Sequence, residues 1–331
     1  MRTKPIKWQN ERVAGNFESA SNSVMAAAAA LKEGYLVAFP TETVYGLGAD
    51  AENIQAVNRL YAVKNRPANH PVIVHISSAF QVDTWASSIP EYAYQLSQHF
   101  WPGPMTLILK RTAVAKDFLT GGQKYVGLRV PSHPIALELL NEFESLGGKG
   151  VAAPSANKFG AVSPTTAISV REELGNDLNP LDFILDGGNC LHGVESTIID
   201  CTTANPNILR PGVITSNMIQ DIINKPLIVR NEKLKVKIPG ELKSHYSPKA
   251  KVVLDSIAEQ TDGLIALSDI PTPAGVHRLS APRSIEEFAR ELYESFREAD
   301  RKGISRVIVY QPQGNGLAEA IRDRLGKAAS C

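Results

Sequence analysis

Cysteine is nearly absent: Cys190, Cys201 and Cys331 are the only three in 331 residues, and no two form a CxxC pair. This excludes a disulfide framework and a cysteine-rich zinc site, and leaves reduced, mostly structural thiols. Long apolar runs are missing as well. No stretch approaches the roughly 20 apolar residues that a membrane-spanning helix needs. The apolar run at 24–31 is alanine-rich and passes into Lys32-Glu33-Gly34 as an amphipathic helix would, so Arg2, Lys4 and Lys7 before it need no signal peptide to explain them. A soluble cytoplasmic protein with no membrane partner is expected. Charge of either sign is not in excess, with 35 Lys and Arg against 34 Asp and Glu. Nothing global draws the chain to nucleic acid, and a polyanion must meet a local cluster of cations. Also absent are GxxxxGK[ST], GxGxxG after the first strand, HExxH and GxSxG, which disfavours the usual nucleotide folds and hydrolase triads.

With 43% hydrophobic and 21% charged residues, the chain is long enough for one large core and one smaller one. Residues 20–33 read as a helix stopped by Gly34, and 35–40 as a buried strand ended by Pro40. Apolar runs at 71–76, 105–109, 125–130, 150–153, 183–185, 197–201 and 207–209 alternate with helical patterns near 51–63, 90–99, 134–146, 165–174 and 215–224. Strands interleaved with helices predict an α/β sheet covered by helices. Between 230 and 250 the rhythm breaks, with Lys233, Lys235, Lys237, Pro239, Gly240 and Pro248 and little apolar periodicity beyond 233–238. That is linker composition. Strand patterns at 251–254, 263–267 and 305–310, an amphipathic helix at 284–301 and a helix at 316–324 follow. They make a second α/β domain of roughly 80 residues, near the lower end of what folds alone. The expected division is therefore 1–229, a linker or lid at 230–250, and 251–331.

Chemistry concentrates at strand ends. Lys64-Asn65-Arg66-Pro67-Ala68-Asn69-His70-Pro71 presents two cations and a histidine on a proline-stiffened loop; Arg66 offers a planar fork to phosphate oxygens and Lys64 a point charge. A solvated turn is the plainer alternative. Arg129, inside Val126-Gly127-Leu128-Arg129-Val130-Pro131, is a charge in a buried-looking strand and needs a partner, either a structural carboxylate or a substrate carboxylate. Pro154-Ser155-Ala156-Asn157-Lys158 leads to Ser163-Pro164-Thr165-Thr166, small residues that let backbone N–H groups approach an anion, with a helix cap among them. The glycine-rich loop 185–198, the Leu209-Arg210-Pro211-Gly212 segment and Ser244-His245-Tyr246-Ser247-Pro248 complete the set. An aromatic in a linker can close over a nucleotide base. Separated cations, hydroxyls and glycines at strand ends can build a cleft for a phosphorylated ligand without a standard motif.

Taken in order, Phe39-Pro40-Thr41-Glu42-Thr43-Val44-Tyr45-Gly46-Leu47-Gly48, the loop 64–71, Trp101-Pro102-Gly103-Pro104-Met105-Thr106, the strand 127–131, Pro154-Ser155-Ala156-Asn157, Gly193-Val194-Glu195-Ser196-Thr197 and Arg210-Pro211-Gly212 resemble the YrdC/YwlC family of threonylcarbamoyl-AMP synthases. The tail resembles that of its longer two-domain members. The resemblance implies a YrdC-like twisted mixed sheet covered by helices, with a small C-terminal Rossmann-like α/β domain. It also implies an ATP-dependent nucleotidyltransferase: L-threonine, bicarbonate and ATP, with Mg²⁺ carried on the ATP phosphates and no protein metal site, yield threonylcarbamoyl-AMP and pyrophosphate. A separate tRNA threonylcarbamoyl transfer machinery would consume the product. Carried over by position, Thr43, His75, Arg129, Ala153 and Ser196 hold threonine; Arg66, His70, Tyr125, Ser155, Ser163, Arg210 and Tyr246 hold ATP; Lys64 and Arg66 are the catalytic pair. The alternative is a protein that binds double-stranded RNA or tRNA through phosphates, without essential catalysis. That reading wants a broad basic stripe, and the cations here are spaced singly.

Overall fold

The first strand begins where the alanine-rich helix Phe17–Glu33 ends at Gly34, which takes the left-handed conformation (φ 93°) that glycine adopts without strain. The computed structural model describes residues 17–229, 236–240 and 245–330; the expectations for Arg2, Lys4, Lys7, 230–235, 241–244 and Cys331 lie outside the described residues. Ten strands form the first sheet: β1 (Val37–Phe39), β2 (Gly46–Asp50), β3 (Ile73–His75), β4 (Met105–Lys110), β5 (Tyr125–Arg129), β6 (Val151–Ala152), β7 (Phe183–Ile184), β8 (Thr197–Asp200), β9 (Asn207–Arg210) and β10 (Ile228–Val229). Their spatial order is β10-β9-β8-β4-β5-β3-β6-β2-β1-β7. The sheet is mixed, with β3–β5 and β4–β8 parallel and β4–β5, β2–β6 and β8–β9 antiparallel. Helices Phe17–Glu33 and Pro134–Ser145 cover one face through Ala27, Leu31, Leu139 and Phe143 against Val37 and Val151. Leu60, Leu96 and Val170 belong to the larger cluster that contains Leu47, Val74, Leu107 and Leu128.

The second sheet contains β11 (Lys251–Leu254), β12 (Gly263–Ile265), β13 (His277–Ser280) and β14 (Arg306–Val309), all parallel, in the order β11-β14-β12-β13. A parallel sheet needs both faces covered. Helices Ile285–Arg301 and Leu317–Ala328 supply Phe288, Leu292, Phe296, Ile321 and Leu325, which pack with Val252, Val307 and Val309. Each such side chain, fully buried, contributes about 1.5–3 kcal/mol. Ser284 starts the first of these helices by accepting from the Glu287 N–H at 3.2 Å.

The expected elements are present, with β2, β10, β13 and the short helices Val82–Trp85 and Asp117–Thr120 as additions that periodicity does not reveal. In β2 the reason is glycine: a Cβ on Gly48 would lie 2.7 Å from Val151 Cγ1 and 2.9 Å from Phe39 Cε1, so the strand carries no side chain where its neighbours press closest. The connector is less loose than its composition suggests. Val236 and Ile238 pack on Ile73, Ile108 and Ile198 of the first sheet. Tyr246 and Ala250 join a cluster that mixes Val44, Val162 and Val194 of the first domain with the core of the second. The two domains thus share buried apolar surface, and the connector runs along the seam.

Candidate active site

The cavity at that seam is built from the ends of β1, β3, β5, β6, β8 and β9 and roofed by the connector. After β1, Thr41 folds its hydroxyl back on the chain: it accepts from the Thr43 and Val44 N–H groups at 3.1 and 3.2 Å and contacts the Thr43 hydroxyl at 2.8 Å. This turn aims Thr43 into the cavity and Glu42 behind it. Glu42 is the partner that Arg129 requires. Its carboxylate accepts from Arg129 Nη2 at 2.6 Å and from the Ser132 N–H at 3.0 Å, while Arg129 also donates to Thr43 Oγ1 at 2.9 Å. Burial raises the Glu42 carboxyl, but Arg129 and these hydrogen bonds outweigh it and hold the group below its ordinary value. His75, beside Arg129, has no partner at Nδ1; burial and the guanidinium push its pKa down to about 3, so it is a neutral imidazole.

Arg66 reaches the cavity because Asn53 and Asn65 fix both ends of the helix Ile54–Lys64. The Asn53 side chain accepts from the Gln55 and Ala56 N–H groups, and Asn65 closes the helix in the left-handed conformation (φ 51°), turning the chain outward. The Arg66 guanidinium donates to the Pro71 carbonyl at 2.7 Å, lies 5.5 Å from the Phe159 ring centroid and keeps a buried, unpartnered Nε. Arg210, at the end of β9, binds the Ser196 carbonyl through Nε (3.1 Å) and Nη2 (2.9 Å), and the Ser196 hydroxyl and Pro239 carbonyl at 3.1 and 3.2 Å. Ser196 Oγ also meets Thr106 Oγ1 at 2.8 Å. Three buried guanidiniums therefore face one space, with Ala153, Ser155, Ser196 and Thr43 between them. Pro239, Gly240, His245 and Tyr246 form the roof.

The residues expected from the sequence divide. Thr43, His75, Arg129, Ala153, Ser196, Arg66, Ser155, Arg210 and Tyr246 line the cavity. Lys64, His70, Tyr125 and Ser163 do not. Lys64 lies one layer back: its ammonium donates to the carbonyls of Ser155 and Asn157 and is depressed well below the ordinary lysine range by burial and then by Arg66. It braces the loop that carries Ser155 and does not project into the cavity. Ser163 donates its hydroxyl to Glu195 at 2.7 Å. His70 sits edge-on to Phe159, 5.1 Å between centroids. Tyr125 packs with Val236 and Ile238 under the connector; it shares the Arg129 face of β5 but stands at the opposite end of the strand, away from the cavity. Tyr246 is not a loose flap; it is 1% exposed, stacks on Tyr293 at 5.8 Å and lies 5.3 Å below the Arg324 guanidinium. Glu42, Glu195 and His245 carried no assignment from the sequence, although each lies in a segment noted for its chemistry. A buried arginine in β5 was the signal that a carboxylate such as Glu42 had to be near.

Among the described residues, no three His, Cys, Asp or Glu side chains converge as a metal site, and no helix is long and apolar enough to cross a membrane. Comparison with known proteins gives two family matches along the chain, and the second takes in the connector. Residues 29–212 match the family model described as Telomere recombination (Sua5, YciO and YrdC), and 214–330 match the one described as Threonylcarbamoyl-AMP synthase, C-terminal domain. Threonylcarbamoyl-AMP synthase of Pyrococcus abyssi is 38% identical over 322 residues, covering 92% of this chain and 93% of that one. That of Bacillus subtilis is 38% identical over 327 residues, covering 92% of each. The crystal structure of P. abyssi Sua5 complexed with L-threonine superposes with a TM-score of 0.85, 36% identity and 96% coverage of both chains. The chain belongs to the two-domain threonylcarbamoyl-AMP synthase family of enzymes.

Proposed function

We propose that this cavity joins L-threonine, bicarbonate and ATP into L-threonylcarbamoyl-AMP with release of pyrophosphate, making the chain a nucleotidyltransferase that supplies the donor for threonylcarbamoyladenosine in tRNA. The observation that carries the reading is the convergence of Arg66, Arg129 and Arg210 on one cavity where, among the described residues, only Arg129 is paired directly with a carboxylate. Such a space suits two anions that must be brought together. Threonine would sit among Thr43, His75, Arg129, Ala153 and Ser196, its carboxylate near Arg129. ATP would sit against Arg66, Ser155, Arg210 and Tyr246, with its phosphates toward the two arginines.

Bicarbonate gives CO₂ and hydroxide; the threonine amine adds to CO₂, its proton leaves with the hydroxide as water, and an oxygen of the resulting carbamate attacks the α-phosphorus as pyrophosphate leaves. The chain supplies no nucleophile. Arg66 and Arg210 offset the repulsion between carbamate and triphosphate, and the fixed guanidiniums need not reorganise as charge moves. His75 and His245 are neutral, so they orient by hydrogen bonding and hold no proton for transfer. The roof of Pro239, Gly240, His245 and Tyr246 excludes water from a carbamate that water would return to threonine and CO₂. Glu195 in the cavity wall and Glu42 behind Thr43 are both engaged by arginine, which fits Mg²⁺ arriving on the ATP phosphates rather than on a protein site; there it would neutralise the leaving pyrophosphate. The product would pass to a separate tRNA threonylcarbamoyl transfer machinery. The buried arginines are out of reach of an RNA duplex, which weighs against the RNA-binding alternative.

The test is pyrophosphate release by the full chain with ATP and Mg²⁺. The reading expects release that requires both L-threonine and bicarbonate, with L-serine a poorer substrate. No release under any condition, together with salt-sensitive binding of double-stranded RNA, would replace it with the alternative.

A further inference from the structure

Glu195 presents a carboxylate to the same cavity wall that carries Arg210, yet no sequence expectation gave it a role. It is 6% exposed, and its oxygens are satisfied chiefly from the second domain. Oε1 accepts from Ser163 Oγ at 2.7 Å; Oε2 accepts from Tyr293 Oη at 3.0 Å and from Arg324 Nε at 2.8 Å. Tyr293 belongs to the helix Ile285–Arg301 and Arg324 to the helix Leu317–Ala328. Arg324 is completely buried, and its remaining nitrogens bind the Asp323 carboxylate at 2.6 Å and the Pro211 carbonyl at 3.0 Å. Pro211 follows Arg210 in the chain, and Ser196, which Arg210 grips, follows Glu195. The second domain thus inserts one cation between two segments that form the wall.

The charges in this wall are Arg210, Glu195 and Arg324, with Asp323 and Lys327, 2.8 Å apart, beside Arg324. Burial raises the Glu195 carboxyl, but Arg324 first and Arg210 second bring it down to about 2. Arg210 in turn is attracted by Glu195 and repelled by Arg324. Asp323 and Lys327 cancel each other, Arg324 satisfies Glu195, and the wall keeps one net positive charge for a ligand. Without Arg324, Glu195 has Arg210 as its remaining guanidinium neighbour, and the pair is neutral towards an incoming triphosphate. A buried carboxylate cannot stay unpaired, so the second arrangement withdraws Arg210 from the cavity.

We propose that Arg324 is a positioning residue for the nucleotide: it neutralises Glu195 from the second domain and so leaves Arg210 available to the phosphates of ATP. The inference rests on the reading of Arg210 as a phosphate group's partner. It gives the second domain a defined part in the site, because the affinity for ATP then depends on whether that domain is docked. Tyr293 supports the same arrangement with one hydrogen bond to Glu195 and a stacking surface for Tyr246.

The test uses the full chain and four proteins: wild type, Arg324→Met, Glu195→Gln/Arg324→Met and Tyr293→Phe. The readouts are KM for ATP, KM for threonine and kcat of pyrophosphate release, with equilibrium ATP binding and the thermal midpoint of each protein. Arg324→Met is expected to raise KM and Kd for ATP by about tenfold, the scale of one lost charge-assisted hydrogen bond. Its KM for threonine is expected to stay within about twofold. Removing the orphaned charge in Glu195→Gln/Arg324→Met is expected to bring ATP affinity back to within about threefold of wild type, which a merely structural role for Arg324 would not do. Tyr293→Phe is expected to fall between wild type and Arg324→Met. An unchanged ATP affinity in Arg324→Met, or a double variant as impaired as the single one, overturns the proposal. Should Arg324→Met fail to fold, the double variant alone decides: near-wild-type ATP affinity supports the idea, and a loss of about tenfold overturns it. Wild-type protein that binds no ATP would instead overturn the reading of the site itself.

Discussion

Removing the Glu42 carboxylate should cost the protein more than any exposed ion pair could. Glu42 and Arg129 side chains are 2% and 5% exposed and 2.6 Å apart, and in Glu42→Ala the guanidinium keeps, among the described residues, only neutral acceptors, Thr43 Oγ1 at 2.9 Å and the Gly103 carbonyl at 3.4 Å. Breaking a buried pair from one side costs about 3–5 kcal/mol. At about 2–4 °C per kcal/mol for a domain of this size, the first domain's thermal midpoint should fall by roughly 6–20 °C. The assay is circular dichroism or differential scanning fluorimetry, with and without L-threonine. If Arg129 also takes the threonine carboxylate, the ligand replaces part of the lost charge and should raise the midpoint more in the variant than in wild type. Acid titration adds an independent check. The folded Glu42 carboxyl lies below its unfolded value of 4.5, so its contribution is fully present above that pH and is lost as pH falls through the folded value. Glu42→Ala should lack that part of the acid slope. A midpoint loss under about 2 °C, less than 1 kcal/mol on the same scale, would refute the pair as a structural necessity.

Gly48→Ala places a Cβ 2.7 Å from Val151 and 2.9 Å from Phe39; urea denaturation should show a loss of about 1–3 kcal/mol, and an unchanged midpoint would mean the strands part freely. His75 and His245 both have pKa values depressed to about 3 by burial, so the kcat/KM profile from about pH 5.5 to 8 should have no inflection that His75→Asn removes. An inflection near pH 6.5 lost in that variant would contradict a neutral His75. Arg66→Ala should lower turnover by about 10²-fold with threonine binding by calorimetry little changed; normal turnover would end its role. Lys64→Ala should lower both turnover and the thermal midpoint, since the carbonyls of Ser155 and Asn157 lose a buried donor, each worth about 1–3 kcal/mol. A turnover loss at constant midpoint would place Lys64 on the reacting phosphate instead.

Most of the fold is legible because the pattern that specifies it is local. Apolar runs such as Met105–Lys110 and the amphipathic helix Ile285–Arg301 carry their periodicity in the residues themselves. β2 is hidden because glycines replace the apolar face, and β13, with the sequence His-Arg-Leu-Ser, because tertiary pairing with β12 rather than propensity makes it a strand. In the site, residues at strand ends were found because each needs an unusual side chain at an abrupt stop. What the sequence concealed is direction. Lys64 and Arg66 sit two positions apart, yet the left-handed turn at Asn65 sends one into the protein and the other to the cavity. Glu195 and Arg324 are 129 residues apart, and nothing short of the packed structure joins them. The Tyr246 position likewise depends on Tyr293 and Arg324, partners contributed by another domain.

The most direct test of the central claim follows carbon. The full chain is incubated with ATP, Mg²⁺, L-threonine and ¹³C-bicarbonate, and the adenylate formed is identified by mass spectrometry before it hydrolyses. The account predicts an AMP anhydride of carbamoylated threonine that carries the label, with pyrophosphate formed in equal amount. An unlabelled threonyl-AMP, or pyrophosphate release that proceeds at the same rate without bicarbonate, would contradict it.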